Sequence, residues 1–143
     1  MKKQIVLSIL MAVSIRSVTM AQDLKEKEVP ASVKAAFVSK YPMAKKVSWE
    51  KEKGNYEANW GGKSGEDNSA VFTPAASFVE IVVAIPVGQL PAGVVSYISL
   101  HYKGAKIKEA GKVTDAAGKH MYEAEIKGKD LIFDEKGAFI KED

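Results

Sequence analysis

Few side chains in this sequence are equipped for catalysis, and their spacing gives them little to act with. There are two histidines, His101 and His120, and no cysteine. His101 falls in the last turn of a predicted helix, where an imidazole interacts favourably with the helix C-terminus. His120 stands just ahead of a predicted strand. Neither has a nucleophile or carboxylate at the spacing of an acid–base pair, so both read as structural or solvated groups. Acidic doublets occur at Glu66-Asp67, Asp134-Glu135 and Glu142-Asp143. They fall in a polar loop, a turn and the C-terminal segment, and lack the alternating oxygen-ligand spacing of a calcium loop. No glycine-rich phosphate loop is present either. These residues assign no catalytic centre, no metal site and no cofactor.

Aromatic side chains are better placed for recognition. Trp49 and Trp60 share their strand faces with Val47 and with Tyr56 and Ala58, so both are expected to pack in a core. Phe72, Phe78, Phe133 and Phe139 are the candidate partner-binding residues. In the expected hairpin register Phe72 faces Phe78 and Phe133 faces Phe139, all on one side of a sheet. Val71, Val79, Ile132 and Ile140 fall on the other side. Both faces are then apolar, but a helix covers only one. The other face is buried within the fold or in a homodimer, or it is an exposed patch that meets a different partner.

The elements that hold these residues are written twice. Pro30 to Tyr41 and Pro91 to Tyr102 share a Pro-to-Tyr spacing of 11. Within them Val33, Phe37 and Tyr41 match Val94, Ile98 and Tyr102, a stripe on one face of a helix. Proline suits the first helical position, where its missing N–H has no intrahelical partner. Strand-like runs follow, and the shared core Tyr56-Glu57-Ala58 and Tyr122-Glu123-Ala124 is the clearest match. Each copy closes with a hairpin, and the gapless match runs from Val71 to Val79 and from Ile132 to Ile140. Asp134-Glu135-Lys136-Gly137 suits a three-residue loop with glycine in the left-handed position. Pro74 and Ala76 replace that chemistry in the first copy. The expected fold class is therefore α+β, a tandem repeat of one helix packed on a four-stranded antiparallel sheet. Repeat 1 covers residues 22–86 and repeat 2 residues 87–143. The two can join into a continuous eight-stranded sheet.

The beginning of the chain reads as a signal peptide over residues 1–21. Lys2 and Lys3 precede an apolar run from Ile5 to Ile15, and small residues lead to cleavage after Ala21. That run is far short of the ~20 residues needed to span a bilayer, so stable membrane insertion is not expected. The segment also carries Lys2, Lys3 and Arg16 without an acid. Its removal turns a net charge of +3 into a balance of 18 bases and 18 acids. A nucleic-acid partner loses its support with that change. The expected location is periplasmic or secreted, soluble after signal cleavage.

These residues resemble the PepSY-like family, also described as β-lactamase-inhibitor-protein-like. The resemblance is carried by Pro30 to Tyr41-Pro42, Ala44, Val47, Trp49, Tyr56-Glu57-Ala58 and the Phe72 to Phe78 hairpin. It is repeated at Pro91 to Tyr102, Ala105, Tyr122-Glu123-Ala124 and Phe133 to Phe139. The second copy has no tryptophan matching Trp49. The resemblance implies helices on an antiparallel sheet and a role in binding or inhibiting other proteins, peptidases or cell-wall enzymes among them. A four-stranded face offers on the order of 350 Å², while a standard interface uses ~800 Å² per partner, so two joined copies come close. The expected function is a non-enzymatic binding or inhibitor-like module acting on an unidentified exported protein through its sheet face. The alternatives are a carrier or sensor of a small envelope ligand, and a hydrolase built on one histidine.

Overall fold

The computed structural model describes residues 21–143, so the expected signal peptide lies outside the described residues except for Ala21. Nine strands form one antiparallel sheet in chain order. They are β1 (Gln22–Leu24), β2 (Ser48–Glu52), β3 (Asn55–Trp60), β4 (Asn68–Phe72), β5 (Phe78–Ile85), β6 (Ile107–Asp115), β7 (His120–Ile126), β8 (Lys129–Asp134) and β9 (Phe139–Glu142). Helix α1 (Ala31–Lys40) lies between β1 and β2, and α2 (Ala92–His101) between β5 and β6. The sheet is continuous, but it has nine strands where the sequence pointed to eight. The extra strand is β1, three residues that pair with β2 through Gln22↔Lys51, Asp23↔Glu50 and Leu24↔Trp49. It is too short to show an alternation pattern.

The two helices form for the same local reasons. Pro30 and Pro91 have φ/ψ of −54/139° and −55/143°, which makes each the residue flanking the helix rather than its first turn. Each helix ends where Tyr41 or Tyr102 leaves helical geometry, at −128/64° and −130/63°. Their N–H groups still donate to the Phe37 and Ile98 carbonyls at 2.8 Å. Val33 and Phe37 on α1, and Val94 and Ile98 on α2, are the buried helical positions. Burying such side chains contributes roughly 1.5–3 kcal/mol each, which holds two short helices that would not persist alone.

Both helices pack on the same face of the sheet, over two separate cores. Val33 and Phe37 meet Trp49, Tyr56, Ala58, Ala70 and Phe72. Val94 and Ile98 meet Ala110, Ala124, Ile126, Leu131 and Phe133. Phe37 lies edge-on to Trp49 and Trp60, with ring centroids 5.3 and 5.1 Å apart, so both tryptophans join the core side as expected. Strands β5 and β6 join the halves through six paired positions, from Glu80↔Asp115 to Ile85↔Ala110.

The sheet is strongly curled. Lys53, in the β2–β3 turn, donates to Asp143 beyond β9 at 2.8 Å. Six strand spacings of ~4.8 Å would put β3 and β9 ~29 Å apart in a flat sheet, so only a curled sheet lets these side chains meet. Right-handed twist and bulges supply the curl. Bulges interrupt the ladder at Val71/Phe72 and at Ile132/Phe133, the same point of the two closing hairpins. The helices therefore cover the convex side and leave the concave side open.

Candidate functional site

The concave face is built from the residues that alternate away from the helices. Tyr56, Ala58 and Trp60 point toward α1, so Asn55, Glu57 and Asn59 point the other way. Following the register, Glu50 lies opposite Glu57, Glu57 opposite Val71, and Val71 opposite Glu80. In the second half Gly111 pairs with Glu123, and Glu123 with Ile132. The resulting cleft holds about 540 Å³ and draws its walls from β2 through the end of β9.

Its charge is one-sided. Nine carboxyl groups line it, those of Glu50, Glu52, Glu57, Glu66, Glu80, Glu109, Glu123, Asp130 and Asp143. The lining lysines are Lys53 and Lys141, and both bond to Asp143 at 2.8 Å. Like charges directly opposite in a sheet destabilise it, and the carboxylates register that cost. Burial, then the charges of Asp130, Glu80 and Glu57, pushes Glu123 up to about 8. Burial raises Glu80 as well, with Lys141 opposing. Burial followed by the Glu57 charge raises Glu50 and Glu52. Asp130 is raised by burial and then by Glu125. Ser69 relieves part of this by donating its hydroxyl to Glu57 Oε1.

Between the carboxylates the floor is small and apolar: Val71, Val79, Val82, Ala84 and Gly111. At Gly111 an added Cβ would stand 2.5 Å from Val82 Cγ1, so any larger residue would have to displace the Val82 side chain. Asn59, 5% exposed, is the buried polar residue of the described chain, and it lines this cleft.

The sequence-predicted binding residues lie elsewhere. Phe72 and Phe133 are 1% and 0% exposed, in the two cores beneath the helices. Phe78 and Phe139 are half-buried and pack against those cores, 5.7 and 5.8 Å from their partners by ring centroid. The expected pairings Phe72↔Phe78 and Phe133↔Phe139 are present, but all four rings are on the covered side. The uncovered face is that of Val71, Val79 and Ile132. Ile132 is buried there although it belongs to neither helix-covered core, and the two valines line the cleft.

The other candidates are dispersed. His101 lies tilted beside Tyr97 with centroids 4.2 Å apart, and His120 Nδ1 is 3.1 Å from the Thr114 hydroxyl at an exposed end of β6 and β7. Neither lines the cleft. Asp134 Oδ1 accepts from the N–H groups of Lys136 and Ala138, both at 2.9 Å, and so closes its own turn. Among the described residues no group of three or more histidine or carboxylate side chains is placed to hold a metal ion. Sequence reasoning missed the acidic cleft because its members come from separate strands. The signal was present in the alternation of Glu50/Glu52, Glu57 and Glu123 with apolar residues.

An antiparallel sheet with helices on one side and an open concave face is an α+β architecture, and the sequence places it in a family. The chain belongs to the PepSY-like family described as "Putative beta-lactamase-inhibitor-like, PepSY-like", whose model matches residues 17–62 and 62–141. No curated protein matches it. Among solved structures, a DUF2874 family protein from Bacteroides uniformis is similar at 21% identity, over 80% of this chain and 88% of that one, with a TM-score of 0.63. A protein of Bacteroides eggerthii described as a "putative periplasmic" protein is similar at 20% identity over the same shares, also with a TM-score of 0.63. A BLIP-like protein from Bacteroides fragilis is similar at 18% identity, over 80% and 84%, with a TM-score of 0.53. At these identities the likeness is one of fold.

Proposed function

We propose that this chain is an exported, non-enzymatic binding module that holds or inhibits another envelope or secreted protein on the concave face of its sheet. The observation that carries this reading is a cleft left uncovered by both helices and walled by strands from both halves of the sheet. A duplicated sheet gives such a face the breadth of a protein interface, which four strands lack. The inhibitor-like description of the family and the periplasmic description of one fold relative agree with it. Among the described residues no helix is long and apolar enough to cross a membrane. A carrier of an apolar ligand gains no support from a concavity lined by nine carboxyl groups.

Partner recovery from envelope extract tests the reading. Ala84 is exposed on the cleft wall and Leu100 is 72% exposed on α2. Ala84→Arg is expected to lose the partner that wild type recovers, and Leu100→Arg to keep it. The reverse pattern would place recognition on the helices.

A further inference from the structure

We propose that the concave face receives an extended cationic segment of its partner, whose lysine or arginine side chains lie against Glu50, Glu57 and Glu80 while its backbone reaches Asn59. The inference rests on the reading of this face as a protein-docking surface and names the chemistry of what docks.

Four observations converge on it. First, the cleft is acidic although the chain without residues 1–21 is balanced, so opposite charges are segregated to different surfaces. Its two lysines both donate to Asp143, so Glu50, Glu57 and Glu80 have no ion pair with the cleft walls, and only Glu80 feels a nearby cation, Lys141. Second, the Asn59 side chain is nearly enclosed and makes no hydrogen bond to another described residue. Every fully enclosed side-chain polar atom among those residues is paired, so the free amide of Asn59 must open into the cleft that it lines. An amide held at the cleft surface with no protein partner is free to bond a backbone group that enters the cleft.

Third, the carboxylates are spread over a face instead of converging on a point. No metal-holding group exists among the described residues. A single ion can answer only one part of such a field, whereas a peptide strand presents same-side charges every ~7 Å. Fourth, the floor between the carboxylates is aliphatic, through Val71, Val79 and Val82. Lysine and arginine stems cover such surface while their heads reach the acids. Burial and then neighbouring carboxylates raise Glu123, and burial raises Glu80 against the pull of Lys141; a docked cation would favour the ionised form of both.

The test uses a fluorescein-labelled peptide of alternating lysine and valine, with its glutamate–valine counterpart, read by anisotropy. The lysine peptide is expected to bind, to weaken as salt rises, and to exclude the glutamate peptide. Glu57→Gln with Glu80→Gln should weaken it roughly tenfold, the loss of two ordinary ion pairs. The same double variant should melt no lower than wild type, since it removes charge repulsion, so lost binding cannot be ascribed to unfolding. Equal binding of the two peptides, or unchanged binding by the folded double variant, overturns the proposal. So does a stoichiometric calcium site that expels the peptide. A photo-crosslinker at Ala84 separates this inference from the reading beneath it. Capture of a lysine- or arginine-rich segment supports both. Capture of an acidic or uncharged segment overturns the charge inference alone. Partner recovery without any crosslink at Ala84 overturns the docking face itself.

Discussion

Lys53 Nζ and Asp143 Oδ1 stand 2.8 Å apart although 90 positions separate them in the chain. Asp143 Oδ2 also accepts from Lys141, so one carboxylate ties the β2–β3 turn to β9 across the end of the cleft. Burial raises the Asp143 carboxyl, but the hydrogen bonds from Lys141 and Lys53 outweigh it and hold the group below the ordinary aspartate value of 3.8. Asp143→Asn should cost ~1 kcal/mol or less, because both partners of the pair are more than a third exposed. A depressed acid contributes its stability above the unfolded-state pKa and loses it as pH falls through the folded one. The difference between wild type and Asp143→Asn in thermal denaturation should therefore be present at pH 7 and vanish in strong acid. A gap that persists in acid would show that the ion pair is not its source.

Glu123 predicts the opposite slope. Its folded value of about 8 exceeds the ordinary 4.5, chiefly through burial and then through Asp130. A raised acid favours the folded state below the unfolded-state pKa, and that advantage is lost as pH rises through the folded one. Between about 4.5 and about 8 the unfolded chain releases this proton first, so stability should fall across that window. Glu123→Gln should flatten the fall and be the more stable protein at pH 8, by a few kcal/mol at most. Denaturant titrations at pH 5 and pH 8 measure both slopes. Equal pH dependence in the two proteins would rule out Glu123 as the origin.

Ala76 holds a φ of +63° at the position where the second hairpin has Gly137 at +88°. Both turns make the same bond, Ala76 N–H to the Thr73 carbonyl at 2.9 Å and Gly137 N–H to that of Asp134 at 3.0 Å. The left-handed region costs an L-residue ~1–2 kcal/mol. Part of that gain is offset by the greater backbone entropy of glycine. Ala76→Gly is expected to stabilise the protein by about 0.5–1 kcal/mol, whereas Gly137→Ala should destabilise it. At Gly137 the new Cβ would meet Pro91 Cβ at 3.0 Å as well as the strained φ. Chemical denaturation of the two variants checks both signs.

Phe72→Ala and Phe133→Ala should each cost roughly 3–5 kcal/mol, the usual penalty for emptying a buried phenylalanine site. Both rings are essentially without exposure, so any loss of partner recovery should track the loss of folded protein by circular dichroism. Selective loss of binding from a fully folded variant would return the phenylalanines to the recognition surface.

The helices were legible because their signals are local. Proline before each helix, the Val33/Phe37 and Val94/Ile98 stripe, and the terminating tyrosines all act within ten or eleven positions. The closing hairpins were legible too, and the Phe72↔Phe78 and Phe133↔Phe139 pairings follow from alternation and turn length. Strand β1 was not, because three residues carry no period and its order comes from pairing with β2. That the candidate phenylalanines lie on the covered face was not legible for a related reason. Alternation tells that Phe72 and Val71 point to opposite faces, but not which face a helix covers.

The sequence by itself determined the α+β class, the two helices, the closing hairpins and the faces on which side chains alternate. These are consequences of backbone periodicity and turn chemistry. Only the tertiary structure decided that both helices take the phenylalanine face and that the sheet curls enough for Lys53 to reach Asp143. Twist and bulges accumulate over nine strands, and their sum is a long-range quantity that no local pattern contains. The curl gathers acids from separate strands into one cleft on the face that the helices leave open.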